Sequence, residues 1–313
     1  MNKPSILFMG TPEFARVSLV SLIDNGYPIV GVFTQPDKPA GRGRHLHVCP
    51  TAELARGKSL PLFQPETLKD EGILKQIESL KPDFIVVSAY GKILPKQVLE
   101  AVKIDCVNVH ASLLPKYRGA APIPWVLING ETETGASIMK LILKLDAGPV
   151  YRQTKIPIEG SDTAGSLAEK LAPLGARLLL ETLPKIQSGQ ITPTPQDDSK
   201  ATLAPALKKE DGKIDWRTSA SEIANRIRGL NPWPGAYTFI DNKMLKIYHG
   251  QVLAEKTDKA PGTVYFLNEK GIHVSCGEGA IVLTEVQLEG KRCLPASEFV
   301  RGYRLEVGKR LGM

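Results

Sequence analysis

Four apolar runs of strand length, at 5–10 (SILFMG), 28–35, 83–89 (DFIVVSA) and 106–110 (CVNVH), alternate with segments of helical pattern, and no other feature constrains the fold as much. Strands that take turns with helices build a parallel sheet covered by helices on both faces. Thr11, Pro12 and Glu13 suit a helix N-terminus directly after the first run, with the helix continuing to about Ile23. Two further strands, at 137–143 and 150–156, flank a turn containing Asp146, and an amphipathic helix rich in Ala and Leu follows at 164–183. The expected fold class is α/β, with a doubly wound, mostly parallel, Rossmann-like sheet.

Beyond that helix, 189–206 is poor in large apolar residues, carries three prolines and reads as an interdomain linker. A short helical segment at 221–229 and five strand-length runs at 235–240, 244–252, 262–266, 272–276 and 280–288 then suggest a small, OB-like β-barrel. The 313 residues divide accordingly into an α/β domain at 1–188, a linker at 189–206 and a barrel domain at 207–313. Trp216 and Trp233 read as packing residues near the domain junction.

Forty Lys and Arg against 33 Asp and Glu leave a net charge of +7 and a pI near 9.1, which favours an anionic partner. The barrel domain carries seventeen Lys or Arg against thirteen Asp or Glu, a surplus of only four, too small to mark a polyanion site by itself. No apolar stretch approaches a membrane span, and the run at 6–9 is too short for a signal core. Cys49, Cys106, Cys276 and Cys293 are scattered with no CxxC pair, so reduced thiols in a cytoplasm are expected and no metal site is. The turn after the first strand, GTPEFA at 10–15, lacks the GxGxxG spacing of a dinucleotide fingerprint, and no P-loop pattern exists.

Asn108 and His110 stand two apart on the fourth run, so their side chains share one face at the C-terminal edge of the sheet, where open α/β sheets bind ligands. Each candidate also has an ordinary reading. A strand-end His often caps a loop, Asp-Ala-Gly at 146–148 is common turn chemistry, and 88–94 is equally a strand-to-helix turn stopped by Pro95. The stretch 39–47 (PAGRGRHLH) is a loop-like segment that would either stay solvated or mould its cations onto phosphates.

The longer motifs break this balance. SLLPKYRGAAPI at 112–123, LDAGP at 145–149, SAYGKILP at 88–95, GTPEFA at 10–15 and QPDKPAGRGR at 35–44 together resemble the folate-dependent formyltransferases. The tail motifs IDW at 214–216, IRGLNPWPGA at 227–236, Lys291-Arg292 and FVRG at 299–302 resemble the C-terminal domain of the branch that acts on initiator tRNA. The resemblance spans essentially the whole chain. Pro124 departs from it, standing where relatives usually carry Gln, which touches only the start of the next helix.

The resemblance implies transfer of the formyl group of 10-formyltetrahydrofolate, a co-substrate, to the α-amino group of methionine on initiator Met-tRNA, the step that prepares translation initiation. It implies that Asn108, His110 and Asp146 are catalytic. Ser88, Ala89, Tyr90, Gly91, Ile93, Leu94, Ser112, Leu113, Leu114 and Pro115 would line the folate site. Lys38, Arg42 and Arg44 would meet the tRNA acceptor stem, with Arg42 foremost and the barrel helping to hold the tRNA. A monomer is expected.

The chemistry suits these residue types. An amine attacking a formyl carbon makes an oxyanion and an ammonium together. The Asn108 amide can donate to the oxyanion, a contribution of about 3 to 4 kcal/mol for a preorganised donor. A protonated His110 would add a charged donor, and Asp146 would relay the amine proton through water. Two other functions remain open to the residues alone: a formyltransferase acting on glycinamide ribonucleotide or an amino sugar, and an RNA-binding protein that keeps the fold without the reaction.

Overall fold

The computed structural model describes residues 3–40, 45–255 and 257–312, with the backbone alone at 38–40 and 45–47. The chain divides into two compact units: one of Met1–Pro122, Glu133–Pro157 and Ala168–Pro205, the other of Ile123–Thr132, Ile158–Leu167 and Ala206–Met313. Strands in the first part of the chain are β1 (Ile6–Gly10), β2 (Ile29–Phe33), β3 (Lys38–Ala40), β4 (His45–His47), β5 (Leu62–Phe63), β6 (Phe84–Ser88), β7 (Asp105–His110), β8 (Glu133–Lys140) and β9 (Val150–Pro157). Helices there are α1 (Glu13–Asp24), α2 (Pro50–Gly57), α3 (Glu71–Leu80), α4 (Lys96–Glu100), α5 (Pro122–Ile128) and α6 (Ala164–Gln187).

The first unit is built on a seven-stranded sheet of order β5-β2-β1-β6-β7-β8-β9, parallel from β5 to β7 and antiparallel at β8 and β9. Strand alternation explains its two covered faces. Ile6 and Phe8, Phe84 and Val86, Val107 and Val109 bury against Leu19 and Leu22 of α1 and Leu178, Leu179 and Leu183 of α6. Leu7 and Met9, Ile85 and Val87, and Cys106 bury on the opposite side against Ile77 of α3 and Val98 of α4. Both faces being apolar, the strands read as unbroken hydrophobic runs, and the sheet is the doubly wound one expected.

Two departures from the sequence reading concern this unit. The stretch 39–47 is not all loop, because β3 and β4 pair antiparallel, Lys38 with His47 and Ala40 with His45. Arg42 and Arg44 lie outside the described residues, as does the side chain of Lys38. The expected linker at 189–206 groups with the sheet as far as Pro205, and Thr194 exchanges two backbone hydrogen bonds of 2.8 Å with Val150 of β9. Pro124 sits in the first turn of α5, where a missing N–H costs no helical hydrogen bond, and the helix forms.

The second unit contains α7 (Ala220–Gly229), β10 (Ala236–Ile240), β11 (Lys243–Leu253), β12 (Val264–Asn268), β13 (Gly271–Ser275), β14 (Ala280–Leu288), β15 (Leu294–Pro295) and α8 (Ala296–Tyr303). All strand pairs are antiparallel, in the order β10-β11-β14-β13-β12, with the short β15 added to β14. Residues 308–312 bridge the two outer strands. Gly308 N–H donates to the Val264 carbonyl of β12 at 2.7 Å, and Gly312 N–H donates to the Phe239 carbonyl of β10 at 2.8 Å. This stitch draws the strand set toward the small barrel expected. Helix α7 opens with a reciprocal cap, Ser219 with Glu222. Trp216 is buried and donates Nε1–H to Thr238 Oγ1 at 3.0 Å, but Trp233 is 56% exposed, so the packing role expected for Trp233 is not what the fold gives it.

Among the described residues, no helix is long and apolar enough to cross a membrane, and no group of three His, Cys, Asp or Glu stands together as a metal site would require.

Candidate active site

The site is assembled by the register of parallel β1, β6 and β7, with antiparallel β8 alongside. Gly10 of β1 lies beside Ser88 of β6, Val87 of β6 beside Asn108 of β7, and His110 of β7 beside Ser137 of β8. The strand C-termini therefore form one row. Since Cys106 faces the α3–α4 core, alternation sends Asn108 and His110 to that same face, and both are buried at its rim.

His110 Nε2 lies 2.9 Å from the Tyr117 carbonyl. A carbonyl only accepts, so Nε2 carries the hydrogen, and Nδ1 is the nitrogen left to exchange a proton. Nδ1 faces Asp146 Oδ2 at 3.8 Å, within ion-pair reach yet too long for a hydrogen bond. Neutral, His110 offers Nδ1 as a base; protonated, it is an imidazolium beside a carboxylate. The structure thus brings Asp146 opposite His110, with Asn108 two residues earlier on the same strand face. Asn108 makes no side-chain hydrogen bond among the described residues, leaving its amide N–H groups for an incoming oxygen.

Asp146 occupies the β8–β9 turn at φ +45°, a left-handed conformation that Asp tolerates better than most residues. Its Oδ2 accepts the Gly119 N–H at 2.9 Å. Gly119 has φ +127°, and a Cβ there would lie 2.6 Å from the Ala204 carbonyl oxygen. We expect Gly119→Ala to cost about 1–3 kcal/mol of stability through backbone strain and this clash, read as a lowered urea midpoint with an unchanged slope. An unaltered midpoint would show that the close approach is not required.

The expected folate residues fall on two loops that leave adjacent strands. After β6, Ala89 (φ +46°) and Gly91 (φ +80°) turn the chain sharply, and the Tyr90 carbonyl accepts Gln35 Nε2 at 2.9 Å. Ser88 Oγ and Tyr90 Oη are buried with no hydrogen-bond partner among the described residues, and burial pushes the Tyr90 phenol up to about 12, so it stays a donor. Leu94 is buried, but Ile93 is 79% exposed. After β7, Ser112 Oγ donates to the Lys116 carbonyl at 2.7 Å. The Leu114 carbonyl accepts Gln153 Nε2 at 2.8 Å, and the Leu114–Pro115 bond is cis. Leu113 lies against the β8 backbone at Gly135, which leaves no room there for a Cβ.

Sequence reasoning missed what holds this site. Arg118, inside the 112–123 motif, is buried, with its guanidinium on Gln196 and Asp198 from the stretch read as a linker. Tyr117 N–H donates to Thr202 Oγ1 at 2.9 Å, and Ala204 N–H donates to the Arg118 carbonyl at 2.7 Å. A buried Arg needs partners, and the polar residues at 196–202 were the available signal.

Comparison with known proteins identifies the family. The formyl transferase family model matches residues 3–183, and the model for the formyl transferase C-terminal domain matches 206–304. The methionyl-tRNA formyltransferase of Clostridium novyi is 48% identical over 303 residues, covering 96% of this chain and 98% of that protein. The enzyme of that name from Syntrophus aciditrophicus is 48% identical over 312 residues, 100% of both chains. Among solved structures, the N-formyltransferase of Helicobacter canadensis in complex with folinic acid and dTDP-3-aminofucose shares the fold at TM-score 0.68 and 19% identity, covering 90% of this chain and 99% of that one. HypX of Aquifex aeolicus in complex with tetrahydrofolic acid does so at TM-score 0.66 and 18% identity. It covers 98% of this chain, which spans only 49% of HypX. With two domain models and full-length relatives in agreement, the chain belongs to the methionyl-tRNA formyltransferase family.

Proposed function

We propose that the chain transfers the formyl group of 10-formyltetrahydrofolate to the α-amino group of methionine carried by initiator tRNA, acting in the cytoplasm as a monomer. The observation that carries the chemistry is the convergence of Asn108, His110 and Asp146 at the end of β7, with His110 Nδ1 3.8 Å from Asp146 Oδ2. The amine lone pair attacks the formyl carbon, and the carbonyl π electrons move to oxygen. Asn108 donates to that oxyanion. The ammonium passes a proton to His110 Nδ1, directly or through water, while Asp146 balances the imidazolium charge. The bond from carbon to folate nitrogen then breaks, and that nitrogen takes a proton back from His110, leaving formylated amine and tetrahydrofolate.

The pterin is assigned to the loop at 88–94 and to 112–115, on the strength of unpaired Ser88 and Tyr90 hydroxyls, the exposed Ile93 and the tight turn at Gly91. The tRNA is assigned to Lys38, Arg42 and Arg44 and to the barrel domain at 207–313, supported by the relatives' name and the net charge of +7. Incubation with 10-formyltetrahydrofolate and either Met-tRNA, glycinamide ribonucleotide or an amino-sugar nucleotide decides the acceptor. Formylation of the sugar with Met-tRNA untouched would defeat the proposal. A protein that binds tRNA without turnover would point to the non-catalytic alternative. Arg42→Ala is expected to lower kcat/KM for Met-tRNA by about tenfold or more, through loss of a phosphate contact, and to leave folate affinity unchanged. Equal losses in both would remove Arg42 from the tRNA assignment.

A further inference from the structure

The turn that carries Asp146 is gripped from outside by one side chain. Gln196 Nε2 donates to the Asp146 carbonyl at 2.8 Å and to the Gly148 carbonyl at 2.6 Å. Gln196 Oε1 accepts two hydrogen bonds from Arg118, from Nε at 3.0 Å and Nη2 at 2.8 Å. A guanidinium cannot accept, so this fork fixes which end of the amide is oxygen, and the NH2 group is committed to the two carbonyls. Arg118 is buried and also reaches Asp198 Oδ1 at 2.7 Å, while Asp198 Oδ2 receives Lys144 Nζ at 2.6 Å.

The sequence neighbour of Arg118 completes the loop. Gly119 N–H holds the Asp146 carboxylate at the same time as Arg118, through Gln196, holds the Asp146 backbone. The Asp146 backbone is left-handed, and a single peptide rotation in the turn would swing Oδ2 away from His110 Nδ1. We propose that Gln196 is a positioning residue for catalysis: oriented by Arg118, it locks the β8–β9 turn so that Asp146 stays opposite His110. The inference rests on the assignment of Asp146 given above. The Gln196 side chain is committed to Arg118 and to the Asp146 and Gly148 carbonyls, so its removal is expected to act on the chemical step and not on binding.

The test is Gln196→Glu in the full-length enzyme. The carboxylate keeps and strengthens the Arg118 fork, so the strap remains anchored, but both donors to the turn are replaced by acceptors that repel the carbonyls. We expect kcat for Met-tRNA formylation to fall about 30- to 100-fold, the loss that a displacement near 1 Å can produce, with KM for 10-formyltetrahydrofolate within about twofold. Gln196→Met, which removes both ends of the grip, should show the same split between kcat and KM, and it stands in if Gln196→Glu does not fold. Asp198→Asn loosens the strap's ion pairs but leaves the Gln196 bonds, and is expected to keep kcat within about threefold. A wild-type kcat in both Gln196 variants, or an equal loss in Asp198→Asn, would overturn the proposal, the latter by showing that general anchoring of 189–205 is what matters. Asp146→Asn separates this from the underlying assignment. If that variant is inactive while Gln196→Glu is normal, only the positioning role fails; if Asp146→Asn is fully active, the role of Asp146 itself fails.

Discussion

Alanine at position 110 is expected to lower kcat for formyl transfer by about 10²- to 10⁴-fold, the usual contribution of a positioned acid–base group. The reason is specific to one atom. Nε2 is tied to the Tyr117 carbonyl, so the proton leaving the attacking amine has Nδ1 as its acceptor on this ring, with Asp146 beyond it. Removing the imidazole also takes one hydrogen bond from the Tyr117 carbonyl, a loss of about 0.5–1.5 kcal/mol. That is small enough for a chain of this size to remain folded. The measurement is single-turnover formylation beside circular dichroism and a thermal melt. Substantial turnover in a folded His110→Ala protein would remove His110 from the proton path, and outright unfolding would mark it as a structural residue.

Asn108→Ala should cost about 10²- to 10³-fold in kcat, as for other single oxyanion donors, with little change in KM. Asn108→Asp is the sharper probe, since it keeps the shape and replaces the donor with a negative charge facing the developing oxyanion. Its kcat should fall below that of the alanine variant. If Asp is instead tolerated, the amide is not donating to an oxyanion. The double variant Asn108→Ala with His110→Ala should lose far less than the product of the two single losses, because both residues serve one transition state.

Much of this arrangement was legible in the sequence for a simple reason. Strands buried on both faces are mostly apolar, so Ile6–Gly10 and Phe84–Ser88 stand out, and in Asp105–His110, where polar residues interrupt Cys106, Val107 and Val109, the two-residue repeat places Asn108 and His110 on one face. The Asp146 turn was visible as turn chemistry, but its approach to His110 spans 36 positions of chain and depends on strand order, which periodicity does not carry. The stretch 189–205 was misread because it is held by hydrogen bonds to Arg118, Tyr117 and Val150 more than by apolar burial. A segment anchored this way has the composition of a linker. Trp233 was misjudged for the opposite reason, since a large aromatic residue is assumed to be inside until the fold shows it outside.

The second unit draws on three separate stretches of chain, with Gly165 N–H donating to the Asn231 carbonyl at 3.1 Å and Gly229 fitted so closely against Ile128 that a Cβ would lie 2.7 Å from its Cγ1. Residue 206 is therefore a poor place to cut or splice. A chimaera joined there would set one parent's barrel against the other parent's α5 and 158–167 segment, mismatching packing that no boundary in the sequence reveals. Recombination among relatives would be penalised at that point.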